Sequence, residues 1–201
     1  MLVSLHRDLG KFEPGWGDSP RKKMSALRWG IFTMTYAATE AFFNDVLAIE
    51  GSTRALPLKP DTLREVGNRC GVKLFTRDWG VRTRVKGNPR GGGNRSRWAT
   101  YEGVQQMRDY LFDMKRLRDI LSHGGDPFST SNVSGALWVQ KKGNSMTLMG
   151  VEGFLQACTD MAAQTILAHG GELGQVPEWP VPTRTVISAE RRPPLPLLPG
   201  D

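Results

Sequence analysis

Between Pro20 and Gly51 the chain runs some thirty residues with no proline and a single glycine, Gly30. Ser19-Pro20 supplies a helix start: a serine cap, then proline at the first helical position, where its missing N–H leaves no bond unmade. One helix reaching Glu50 is therefore predicted. Two apolar stripes recur along it at spacings of three and four. The first is Met24, Leu27, Ile31, Met34, Ala38 and Ala41. The second is Trp29, Phe32, Tyr36, Phe43 and Leu47, interrupted by Glu40. A helix apolar on more than one face asks for cover on more than one side, so the fold is expected to be built by packing other helices against it.

Three further helices follow from the same reasoning. Asp61-Thr62-Leu63-Arg64-Glu65-Val66 begins a short one, stopped near Gly67 and Gly71. Thr100 can cap a long one from Tyr101 to about Ser122. Its inward stripe is Val104, Met107, Leu111, Met114, Arg118 and Leu121, ended by Gly124-Gly125 and Pro127. The last runs from Gly150 or Val151 to Ala168. Apolar runs at Leu137–Gln140 and Met146–Met149 flank a Lys-Lys-Gly-Asn-Ser turn and predict a β-hairpin over 136–149. The expected architecture is mainly α, an up-and-down four-helix bundle over 20–175. It carries this small hairpin insertion, an N-terminal arm at 1–19 and a proline-rich arm at 176–201.

Composition closes several alternatives. No run approaches the ~18 apolar residues of a membrane span. The first twenty residues, with Asp8, Lys11, Glu13 and Asp18, lack the apolar block of a signal peptide. Cys70 and Cys158 make neither a disulfide framework nor a zinc site, and a cytoplasmic location is expected.

The net charge is +7, but its excess is concentrated. Ten basic residues from Arg64 to Arg97 face only Glu65 and Asp78. Within this window, residues 77–98 mix basic side chains with Gly, Asn and Pro and are expected to form a flexible loop. Its Arg82, Arg84 and Lys86 are candidates for RNA phosphate contacts. A solubilising loop, or one that meets an acidic partner protein, explains the same charge equally well.

Most catalytic patterns are missing: there is no P-loop, no H-E-x-x-H and no G-x-S-x-G, and His6, His123 and His169 are the only histidines. No metal site and no cofactor are expected. What remains is Arg118-Asp119-x-x-x-His123 at the end of the long third helix. A guanidinium on an inward stripe needs a partner or a polar cavity, and imidazole is the side chain that moves protons near neutrality. An arginine for phosphate and a histidine for a proton suit RNA cleavage by 2′-hydroxyl attack. The competing explanation is structural, since His169-Gly170-Gly171-Glu172 repeats the pattern at another helix end and histidine there complements the helix dipole. Position 164, five before His169, holds glutamine instead of arginine.

Arg118–His123 followed by glycine, closing a long helix, together with Ala37–Leu47 in the first helix, resembles the HEPN family (higher eukaryotes and prokaryotes nucleotide-binding domain). The likeness covers roughly residues 20–170. It implies a dimerising helical bundle, and in many members a metal-independent ribonuclease that serves as a toxin or phage-defence effector, often paired with a nucleotidyltransferase-type antitoxin. Arg118 and His123 match the family's R-x(4–6)-H signature, with Asp119 in its polar second position. On this reading Arg118 binds the scissile phosphate, His123 transfers the proton and Asp119 orients one of them. Glu40 pairs with Arg118 across the bundle, either in catalysis or as a neutralising ion pair. One Arg118 and one His123 per chain are too few for a base, an acid and a phosphorane-stabilising cation, so a homodimer with a composite cleft is expected. The alternatives are a non-catalytic module that binds a partner protein or nucleotide, and a DNA-binding regulator using the basic loop.

Overall fold

The computed structural model describes residues 19–87 and 96–175. Both arms and the centre of the basic segment lie outside the described residues. The described chain is mainly helical, with two small antiparallel strand pairs. Helix α1 spans Ser19–Ile49, α2 Pro60–Arg69, α3 Gly103–Ser122 and α4 Leu148–Ala168. Strands β1 (Gly80–Lys86) and β2 (Ser96–Glu102) precede α3, and β3 (Trp138–Gln140) and β4 (Gly143–Ser145) precede α4. Short 3-10 turns occupy Pro127–Ser129 and Leu173–Gln175. Among the described residues no helix is long and apolar enough to cross a membrane.

Of the two stripes on α1, the second faces the core: Phe32, Tyr36, Phe43 and Leu47 are fully buried. The first does so only over its first half, where Ile31 is buried and Leu27 packs against the core. From Met34, 64% exposed, onward it lies at the surface with Ala38 and Ala41, as does the adjoining Ala37. From Met34 onward α1 is thus covered on one side only, contrary to the expectation from its two apolar faces. Phe154 of α4 forms the centre of the core, with ring centroids 5.0 Å from Phe32, 6.2 Å from Tyr36 and 6.4 Å from Tyr110 of α3. Such tilted and offset aromatic pairs add about 0.5–1.5 kcal/mol each beyond their buried area. Phe43, Phe75 and Trp79 extend the core toward α2.

The expected flexible loop over 77–98 is corrected at 80–86 and 96–98 by β1 and β2, while its centre lies outside the described residues. They pair in register from Gly80↔Glu102 to Lys86↔Ser96, and β1 is buried except at Lys86. Val81, Thr83 and Val85 alternate with Arg82 and Arg84, a period-2 pattern that the basic composition masked. Arg82 is only 8% exposed because Asp160 of α4 meets it fully. Its Nε and Nη2 donate to the two carboxylate oxygens at 2.9 and 2.6 Å, and its backbone N–H donates at 2.8 Å. One turn on, Gln164 accepts from the Gly80 N–H at 2.9 Å and donates to the Gly80 carbonyl at 2.8 Å. Gly153 completes this seam, since a Cβ there would collide with the Arg84 backbone nitrogen. On the other side, the Thr83 and Tyr110 hydroxyls are 3.0 Å apart. The strand therefore lies against both α3 and α4.

Two boundaries also differ. Helix α3 begins at Gly103, since residues 96–102 are committed to β2. Met146–Met149 is not the second strand of the hairpin: β4 comes three residues earlier, and Thr147 caps α4 by accepting from the Gly150 N–H. Gly143, at φ 125°, permits the early turn; a Cβ there would strike the Phe128 carbonyl. Helix α2 ends at Arg69, between Gly67 and Gly71, as the sequence placed it. The segment leading to β3 is tied down by Asp113 of α3, fully buried, which accepts from Ser131 Oγ, Val133 N, Ser134 N and Ser134 Oγ.

Candidate active site at the end of helix α3

Helix α3 ends in a Schellman motif. His123 is the C-cap, Gly124 adopts φ 67°, the Gly124 N–H donates to Leu121 O at 3.3 Å, and the Gly125 N–H donates to Ile120 O at 2.8 Å. This closure leaves His123 exposed, and among the described residues its imidazole has no hydrogen-bond or ion-pair partner.

Arg118 lies a little over one turn earlier, with its side chain about three-quarters buried. Its guanidinium carbon sits 4.8 Å from the centre of the Tyr36 ring. Nη1 is 2.9 Å from Asp119 Oδ1, and Nη2 is 3.4 Å from Glu40 Oε2. Glu40 Oε1 accepts from the Leu58 N–H at 3.1 Å, so this carboxylate joins the α1–α2 connection to the arginine. Asn44 holds the same connection, accepting from Leu56 N at 2.6 Å and donating to Leu56 O at 3.0 Å. Lys115 pairs with the other oxygen of Asp119. The aspartate thus contacts two cations; its link to His123 is through the backbone, its carbonyl accepting the His123 N–H at 3.1 Å.

Two buried polar atoms here have no hydrogen-bond partner among the described residues: Arg118 Nε and Tyr36 Oη. Burial pushes the Tyr36 pKa up, Glu40 adds to the shift and Arg118 opposes it, so the hydroxyl stays protonated. The structure therefore brings Arg118, Asp119 and Glu40 together, with His123 nearby in sequence at the exposed helix end. Tyr36 and Lys115 were not singled out from sequence; an aromatic one turn before an inward acid was the available signal.

The basic candidates lie elsewhere. Arg82 and Arg84 are corrected from RNA contacts to buried structural cations. Arg82 is spent on Asp160, while Arg84 stacks 4.5 Å from the Trp98 ring centre and donates to Ser96 Oγ at 2.8 Å. Lys86 is exposed, its ammonium 3.4 Å from the Val139 carbonyl.

The helix end that sequence offered as a structural counterpart, at His169, borders an open, mainly apolar cleft of about 310 Å³ lined by Phe42, Val46, Ile49 and Ile166 among others. Among the described residues no cluster of three or more His, Cys, Asp or Glu is placed to hold a metal ion. Comparison with protein-family models, curated proteins and solved structures returns no match to this chain.

Proposed function

We propose that this chain is a metal-independent endoribonuclease of the HEPN type. The observation that carries the reading is the pairing of a positioned, largely buried Arg118 with an exposed His123, without a side-chain partner among the described residues, at the same helix end. In the reaction the 2′-oxygen attacks the adjacent phosphorus, and the bond to the 5′-oxygen breaks. One imidazole takes the 2′ proton and an acid returns a proton to the leaving oxygen, giving a 2′,3′-cyclic phosphate and a 5′-hydroxyl. Arg118, held on Tyr36, stabilises the phosphorane charge. Asp119 and Glu40 orient Arg118 in this scheme.

Acid and base are both supplied if two protomers meet. The exposed α1 stripe of Met34, Ala37, Ala38 and Ala41, small and apolar, suits a homodimer in an up-and-down helical arrangement. The cellular role that fits is a cytoplasmic toxin or phage-defence effector, restrained by a nucleotidyltransferase-type antitoxin.

A second reading has its own support. Glu40 and Asp119 together offset the charge of Arg118, as in a non-catalytic module that binds a protein or nucleotide. One experiment separates them. Purified protein should cleave RNA in EDTA and leave 2′,3′-cyclic ends, and His123→Ala should remove both the cleavage and any growth arrest on expression. Cleavage lost in EDTA and restored by magnesium, or toxicity indifferent to His123→Ala, contradicts the ribonuclease.

A further inference from the structure

The two strand pairs meet at one end. Register places Lys86 and Ser96 at one end of the β1–β2 ribbon and Gly80 and Glu102 at the other, six residue steps or about 20 Å away. The Lys86 ammonium donates to the Val139 carbonyl of β3, and β3 leads directly into the exposed Lys141-Lys142 turn. Arg97, exposed on β2, stands opposite Val85, one residue back from the Lys86↔Ser96 pair and therefore on the other face of the ribbon tip. Four exposed cations are thus carried by two joined ribbons. Glu102 is the sole acid on the four strands, and it sits at the far end. From Pro127 to Val151 the sequence contains no acid at all. Val139, 61% exposed between Trp138 and the lysines, adds an apolar surface beside the charge.

We propose that this double-ribbon end, Lys86, Arg97, Lys141 and Lys142, is the surface that binds the sugar–phosphate backbone of single-stranded RNA. The identification of the polyanion as RNA rests on the ribonuclease reading; the surface itself rests on the register and the Lys86–Val139 bond. Lys86 and Arg97 on paired strands, and Lys141 and Lys142 in the short turn that closes the β3–β4 pair, are held in place by the ribbons, unlike cations on a coil, so they can meet successive phosphates at the tip. An ammonium already tied to a neutral carbonyl keeps its charge available. Such contacts carry no base preference. Arg82, which shares the ribbon, fixes its position through Asp160 of α4, and Arg84 ties its two strands together on Trp98.

The test uses the full chain and a uridine oligonucleotide methylated at every 2′-oxygen, which cannot be cleaved by 2′-attack. Fluorescence anisotropy is measured across a salt series. Replacing Lys86, Arg97, Lys141 and Lys142 by Ala should weaken binding at least about tenfold and flatten the log–log salt slope by about 2–3 units, at roughly 0.7 per phosphate contact. Replacing Arg64, Arg69, Lys73 and Arg77 by Ala removes equal charge elsewhere and should leave both quantities close to the parent. All eight side chains lie at or near the surface, and unchanged circular dichroism confirms that each variant is folded. Equal losses in the two variants, an unchanged slope in the first, or no binding by the parent protein overturns the surface. Binding that depends on the four cations, in a protein that cleaves no RNA, leaves the surface standing and removes the nuclease instead.

Discussion

Helices α3 and α4 end in nearly the same words: Ile120-Leu-Ser-His-Gly-Gly-Asp126 and Ile166-Leu-Ala-His-Gly-Gly-Glu172. Both form a Schellman closure, Gly170 and Gly171 repeating the bonds of Gly124 and Gly125 to Leu167 and Ile166. The difference lies one turn upstream. In α4 the polar side chains Asp160 and Gln164 are consumed by β1, and His169 itself lies 3.6 Å from Glu50 beside an apolar cleft. In α3 the position matching Gln164 holds Arg118, which meets Glu40 and Tyr36 of α1 at the edge of the core and pairs with the neighbouring Asp119, and among the described residues the His123 imidazole has no partner. One terminus spends its polar groups on folding; the other leaves an exposed imidazole a little over one turn from a positioned, largely buried guanidinium. The shared ending is a stop signal. What precedes it decides whether the site is structural.

The largest effect expected from this contrast is on activity. His123→Ala should lower the RNA cleavage rate by about 10²–10⁴-fold, the usual contribution of general acid–base catalysis. His169→Ala should leave the rate unchanged, because its position merely ends a helix. Equal losses in the two variants would erase the distinction.

Stability should show the opposite order. Asp160→Asn leaves the Arg82 guanidinium buried without its counter-charge, and about 3 kcal/mol or more should be lost. A thermal melt should fall by roughly 6–12 °C. Glu40→Gln acts on a pair whose side chains are about a quarter exposed, so its effect should stay below about 1 kcal/mol. A larger loss from Glu40→Gln than from Asp160→Asn would show that the α3 terminus, too, is built for stability.

The smallest effect concerns pH. The Tyr36 hydroxyl has a raised pKa in the folded state, chiefly from burial, so its contribution to stability is complete below the unfolded value near 10 and is lost as pH rises above it. Tyr36→Phe retains the ring beneath Arg118 and should make the alkaline fall in melting temperature shallower. An unchanged alkaline limb would mean that the hydroxyl ionises as freely as in the unfolded chain.

Much of this was legible in sequence, because period and punctuation act locally. The extent of α1, the C-termini of α3 and α4 and the strand at Trp138–Gln140 follow from helix spacing, proline and paired glycines. The inward positions of Glu40 and Arg118 were visible as charges on apolar stripes. The β1–β2 ribbon was hidden for a different reason. Arg82 and Arg84 suggest solvent until Asp160, Gln164 and Trp98 are known to be their neighbours, and nothing local announces a partner so distant. The carboxylate of Asp113, bound by four donors, was silent for the same reason. Tyr36 was visible only as a core aromatic; that it supports a cation emerges once α1 and α3 are placed side by side.

The seam between β1 and α4 also sets the order in which the molecule can be made. Arg82 is separated from Asp160 by 78 residues and Gly80 from Gln164 by 84. During synthesis, at about 5–20 residues per second, β1 waits roughly 4–16 s for the carboxylate that permits its burial. Throughout that interval a strand bearing Val81, Val85 and two arginines has no sealed place to go. Closure of the core is therefore a late, long-range event, slow on the scale of helix formation. The nascent chain must keep that strand from pairing with a neighbour until the last helix emerges.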